Sequence, residues 1–215
     1  MIKEDCNYLK KDVSMNKIIT LALLLLSCNS TIFCMVHPAV YLETERIRLR
    51  ELTPEDAPAL LPILGDLEVM DRAAGGVTMP LDEIKDFLKT RILPSYKENG
   101  WGRYALIKKD TGALMGFGGF CTHGRLRIED VSETYKPVAL SIVLAKEYWL
   151  QGYATELMKV AMNHARNTLK LSELIAVVDT KYAISAQVAK KAGFAFWKKG
   201  RNLDTPVDVY KIELK

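Results

Sequence analysis

The sequence predicts a mixed α/β domain: a mostly antiparallel sheet with one central parallel βαβ pair and helices on both faces. Three observations carry this reading. Leu174-Ile175-Ala176-Val177-Val178 is continuously apolar, as in a strand buried on both faces. The apolar run Val138 to Leu144 leads through a small-residue turn, Gln151-Gly152-Tyr153-Ala154, into a stretch where Ala154, Leu157, Met158, Ala161, Ala165 and Leu169 recur at three-and-four spacing. That spacing buries one helix face, and strand, helix and strand in this order form a crossover unit with parallel strands. Two further strand-like runs, Tyr104 to Lys108 and Ala113 to Phe120, are separated only by a short turn, which favours an antiparallel hairpin.

Taken in order, Tyr41 to Leu52 alternates apolar and charged residues and reads as one half-exposed strand. Thr53-Pro54-Glu55-Asp56 supplies an N-cap, a proline at the first helical position and two acids in the first turn, so a helix follows to about Leu64. A glycine-rich link through Gly75-Gly76 leads to a second helix, about Leu81 to Tyr96, with Ile84, Phe87, Leu88 and Ile92 on one face. Tyr104 to Lys108 and Ala113 to Phe120 read as a hairpin around Asp110-Thr111-Gly112. After the crossover unit come a helix from about Ile184 to Ala192 and closing strands at Phe194 to Lys198 and Val207 to Leu214. The glycines of Met115-Gly116-Phe117-Gly118-Gly119-Phe120 do not make a dinucleotide site, because they end a strand and lead into His123-Gly124-Arg125 rather than a helix. They read as positions of close backbone approach.

A chain of 215 residues with 49% apolar and 26% charged residues has the composition of a soluble globular protein. Its net charge of +4, without a long basic run, gives no footprint for nucleic acid. Cys6, Cys28, Cys34 and Cys121 lack metal-site spacing, so no metal is expected. The domain from residue 40 onward keeps one thiol and no disulfide, as expected of a cytoplasmic protein.

Residues 1–39 form an N-terminal extension. Ile18 to Leu26 is an apolar run introduced by Lys17 and followed by Ser27-Cys28, too short to span a bilayer but long enough for a signal h-region. Three readings stay open: translation from Met35, a signal or lipid anchor with Cys28 as the acylated residue, or a spanning segment within residues 17–36. The first leaves a cytoplasmic protein, and the other two tie the domain to a membrane or envelope through that segment alone.

The turn before the amphipathic helix is a plausible anion site, since the first N–H groups of a helix lack internal partners and carry the positive end of its dipole. Gly152 brings the backbone close to a ligand. Here the sequence resembles the GNAT superfamily of acyl-CoA-dependent N-acyltransferases. Trp149-x-x-Gly152-x-Ala154, continued as Thr155-Glu156, is similar to the pyrophosphate loop of its ribosomal-protein N-terminal (RimJ/RimL-like) acetyltransferase branch. Leu42-Glu43-Thr44-Glu45-Arg46-Ile47-Arg48-Leu49-Arg50 resembles that branch's first strand, and Ser185 through Lys191-Ala192-Gly193-Phe194 resembles its last helix and the strand after it. Together these cover roughly Val40 to Lys215.

The resemblance implies transfer of an acetyl group from acetyl-CoA to a primary amine, either a small amine or a protein N-terminus, by a monomer or dimer. Gln151, Gly152, Tyr153, Ala154 and Thr155 would hold the pyrophosphate, and the backbone of Ile142, Val143 and Leu144 the pantetheine and the thioester carbonyl. Ser185 would protonate the departing thiolate. Tyr182 stands where the family has a pantetheine-binding asparagine, and Ala139 where many relatives carry a glutamate base. Base candidates elsewhere are Asp71, in the link after the first helix, and Asp179, while Glu129, Asp130 and Glu133 read as a solvated loop. His123 is isolated, and His164 falls on the polar side of its helix. Two alternatives remain: a non-catalytic CoA-binding module, suggested by Ala139 and Tyr182, and an envelope-anchored interaction domain on the same fold.

Overall fold

The computed structural model describes residues 40–124 and 126–214, so the readings on residues 1–39 lie outside the described residues. The strands are β1 (Val40–Glu43), β2 (Ile47–Arg50), β3 (Arg103–Lys108), β4 (Leu114–Thr122), β5 (Leu126–Ile128), β6 (Val138–Leu144), β7 (Glu173–Asp179), β8 (Ala195–Asn202) and β9 (Thr205–Glu213). They form one sheet in the order β1-β2-β3-β4-β6-β7-β9-β8-β5. Every neighbouring pair is antiparallel except β6 and β7.

The helices are α1 (Ala57–Leu64), α2 (Leu67–Ala74), α3 (Leu81–Phe87), α4 (Leu93–Asn99), α5 (Tyr153–Asn167) and α6 (Ala183–Lys191), with α3 and α4 joined by a π-helical turn, Leu88–Ile92. One core lies between the α1–α4 layer and the sheet, with Leu60, Ile84 and Leu88 packed near Ala105, Phe117 and Val143. On the other face α5 and α6 contribute Met158, Ala161, Ala165 and Ala189 against Phe120, Leu140, Ala176 and Tyr210. Burial of side chains of this size, at about 1.5–3 kcal/mol each, drives the layering.

The structure departs from the sequence reading at four places. Tyr41 to Leu52 is a hairpin: Thr44 turns the chain, its hydroxyl accepting from Ile47 N–H at 2.8 Å, and β1 folds back on β2. The link after α1 contains a helix, α2, started by Asp66, whose carboxylate accepts from the N–H groups of Glu68 and Val69, and ended by Gly75 in the left-handed region. The second helix runs on to Asn99. The short strand β5 extends the sheet beyond β8.

The glycines of β4 are there for space. A Cβ on Gly116 would stand 2.0 Å from the Val143 carbonyl oxygen, and one on Gly119 would stand 2.4 Å from that of Gly102, both at positive φ. This tight pairing fixes the path of β6, the strand on which the site is built.

Candidate active site

The two parallel strands stay together only at their start. β6 and β7 are in register at Ala139 and Ile175, and beyond that point they diverge. The gap opens into a cleft of about 630 Å³ lined by the ends of both strands, the turn before α5, the inner face of α6 and three residues of α2. A volume of that order suits a cofactor-sized ligand.

Hydrogen-bond alternation along β6 decides which backbone groups face the cleft. Ala145 N–H donates to Met115 O at 2.9 Å, and the β4–β6 register is unbroken, so Val143, Ser141 and Ala139 exchange their bonds with β4. The N–H groups of Ile142 and Leu144 therefore point toward β7, where β7 has moved away. Val143, expected as a backbone donor alongside them, borders the cleft but keeps its N–H on β4. The Leu144 carbonyl is taken by Trp149 Nε1–H at 2.8 Å, which ties the turn to the end of the strand.

Gly152 caps α5 at φ 84°, a left-handed conformation that strains any other residue. The first bond of the helix ladder runs from Glu156 N–H to Gly152 O, so the N–H groups of Tyr153, Ala154 and Thr155 have no partner within the helix. Gly152, Tyr153, Ala154 and Thr155 all line the cleft. Gln151 does not. Its carbonyl faces outward and accepts from Arg46 Nη1 at 3.1 Å.

That arginine, from the β1–β2 turn, braces the whole turn. Arg46 Nε donates to Glu156 Oε2 at 2.7 Å, its backbone N–H donates to Glu156 Oε1 at 3.0 Å, and its guanidinium lies 4.2 Å over the Tyr153 ring. Burial pushes the Glu156 carboxyl up, but hydrogen bonds from Thr44 and from Arg46 outweigh it and leave the group below its ordinary range. Sequence reasoning found both segments through the resemblance and missed that one ion pair joins them.

Ser185 is the third residue of α6, half-buried and on the cleft wall. The N-cap is Tyr182 and no side-chain hydrogen bond caps this helix, so Ser185 is not occupied as a cap. Tyr182, expected to hold the pantetheine, is not among the residues lining the cleft, and its hydroxyl donates to Asp71 Oδ2 of α2. Lys181 Nζ sits 2.7 Å from the other oxygen of Asp71 and 3.8 Å from Asp179 Oδ2. The Lys181 ammonium, followed by the Tyr182 hydroxyl, holds the Asp71 carboxyl below the usual range. Three residues weighed separately in the sequence, Asp71, Asp179 and Tyr182, are thus one cluster at the cleft mouth, centred on Lys181.

Ala139 is fully buried between Cys121 and Ile175, and no base occupies that position. His123 lies beside Cys121, with Nε2 3.8 Å from Sγ. His164 is not on a polar face. Its ring stacks near Phe120 and its Nε2 lies 2.6 Å from the Tyr41 hydroxyl, because the β1–β2 hairpin covers a second side of α5. Among the described residues no group of His, Cys, Asp and Glu is placed to hold a metal ion, and no helix is long and apolar enough to cross a membrane.

The sequence matches the family described as the acetyltransferase (GNAT) domain over residues 46–195. The chain belongs to that family. The uncharacterized N-acetyltransferase YoaA of Bacillus subtilis is 27% identical over 153 residues, 71% of this chain and 81% of its own. Among solved structures, an acetyltransferase from Agrobacterium tumefaciens superposes with a TM-score of 0.66 at 22% identity, covering 82% of this chain and 96% of that one. The spermidine N-acetyltransferase of Vibrio cholerae, in complex with CoA and spermine, superposes with a TM-score of 0.59 at 15% identity, covering 79% and 96%.

Proposed function

We propose that the domain transfers the acetyl group of acetyl-CoA to a primary amine. The observation that carries this is the diverging pair β6 and β7, which leaves the N–H groups of Ile142 and Leu144 in the same cleft as the unpartnered N–H groups of Tyr153, Ala154 and Thr155. The helix start suits a diphosphate, and the strand edge suits an extended amide-bearing arm. The edge N–H groups also suit the oxyanion that forms when the amine nitrogen attacks the thioester carbon.

In that attack a C–N bond forms and the C–S bond breaks, the nitrogen losing one proton and the thiolate gaining one. Ser185, on the opposite wall, supplies the thiolate's proton, a modest task given a thiol pKa near about 8.5. The amine must arrive neutral. With Ala139 in place of an acid, this favours an acceptor of low pKa: an α-amine, near about 8, loses its proton to water far more readily than a lysine, near about 10.4. Peptide N-termini and small molecules both offer such amines.

The test is thiol release from acetyl-CoA by residues 35–215 against peptides with free N-termini and small amines including spermidine. Turnover on at least one acceptor supports the reading. Tight CoA binding with no turnover on any of them would favour a non-catalytic CoA-binding module.

A further inference from the structure

The charge lining the cleft is of one sign. Among the described residues lining it, the charged ones are Arg72 and Lys191, both cationic, and no carboxylate borders the space. Arg72 comes from α2, whose Val69, Arg72 and Ala73 form one face along the cleft at the three-and-four spacing of a helix.

The setting of Arg72 is built. Its guanidinium lies 4.4 Å over the Trp149 ring and 5.2 Å from the Tyr182 ring, so it bridges the mouth between the segment following β6 and the segment following β7. Both rings are fixed, Trp149 by its bond to the Leu144 carbonyl and Tyr182 by its bond to Asp71. A guanidinium held over aromatic rings keeps its fork of N–H donors, which binds carboxylate and phosphate oxygens in pairs. Little competes for that fork. Glu68 reaches it at 3.3 Å but is half-exposed and shared with Lys146 at 3.1 Å, and the adjacent Asp71 is committed to Lys181 and Tyr182.

We propose that Arg72 is an oxyanion-binding residue of the cleft, taking a phosphate of the donor or a carboxylate of the acceptor at the rim between the Trp149 and Tyr182 rings. The inference rests on the acetyl-CoA reading. Calorimetric titrations of the wild type, Arg72→Gln and Arg72→Lys test it with CoA, with pantetheine, which lacks phosphates, and, on the CoA complex, with glycylglycine and glycylglycine amide.

Loss of a charge-assisted hydrogen bond predicts at least about a tenfold weakening for Arg72→Gln. The weakening falls on CoA but not pantetheine if the oxyanion is the donor's, and on glycylglycine but not its amide if it is the acceptor's. Arg72→Lys, which keeps charge and loses the fork, falls between. Unchanged affinity of Arg72→Gln for every probe overturns the proposal. Failure of the wild type itself to bind CoA would instead overturn the acetyl-CoA reading.

Discussion

Arg46 and Glu156, 110 residues apart, close a double contact through both the backbone N–H and the guanidinium of the arginine, and by it the first hairpin holds the turn that starts α5. The pair is partly exposed, so its direct worth to stability is about 1 kcal/mol. Its larger effect is on geometry, because Nη1 also fixes the Gln151 carbonyl on the outer side of the turn. Arg46→Gln and Glu156→Gln should each weaken CoA binding severalfold in titration. The double variant should weaken it little further, as expected for one shared interaction.

Ser185→Ala should leave CoA affinity within about twofold and lower kcat by more than about tenfold, or ~1.4 kcal/mol in the barrier. Single-turnover kinetics separates the two quantities. A wild-type rate would move the thiolate's proton donor elsewhere.

Gly116→Ala puts a methyl group 2.0 Å from the Val143 carbonyl oxygen at a positive φ, and that neighbour is backbone in the middle of the sheet. A loss of at least about 3 kcal/mol is expected in chemical denaturation. Gly112→Ala, with nothing within 4 Å of the added atom, serves as the milder control, carrying only the strain of its φ of 71°.

How much of this was legible beforehand follows from what each segment is made of. The crossover unit was readable because α5 and β7 are long and their apolar patterns unambiguous. α2 was not: it spans eight residues between glycines, and among its described side chains only Val69 and Met70 are buried, too few to show a period. The β1–β2 turn was hidden because Thr44-Glu45-Arg46 carries neither glycine nor proline, and the reversal depends on the Thr44 hydroxyl. Within the site, the turn was legible through Gly152 and Ala154 and the family pattern they belong to, although Gln151 of that pattern does not line the cleft. Arg46 and Arg72 were not, since both act across distances in sequence that only the fold brings together.

Protonation of His164 is expected to loosen the first hairpin. Burial holds its imidazole pKa below the ordinary value, so the unfolded chain binds the proton more readily. The stability this group contributes is complete above about pH 6.5 and is lost as pH falls through the depressed folded value. Thermal melts of the wild type should therefore drop between pH 7 and 5 more steeply than those of His164→Gln. Equal slopes would remove His164 as the cause.

On the proposed function the cleft meets its ligand largely through peptide N–H groups, which every residue but proline supplies whatever its side chain. Substitutions at Ile142 or Leu144 that keep the strand extended leave those donors in place, whereas a change at Gly116, Trp149 or Arg46, none of which supplies such a donor, moves them. Variation in this domain is therefore expected to be best tolerated at strand positions beside the ligand and least tolerated at the supports behind them. A search for altered acceptor preference does best to leave that frame untouched and to vary the α2 and Lys181–Tyr182 rim.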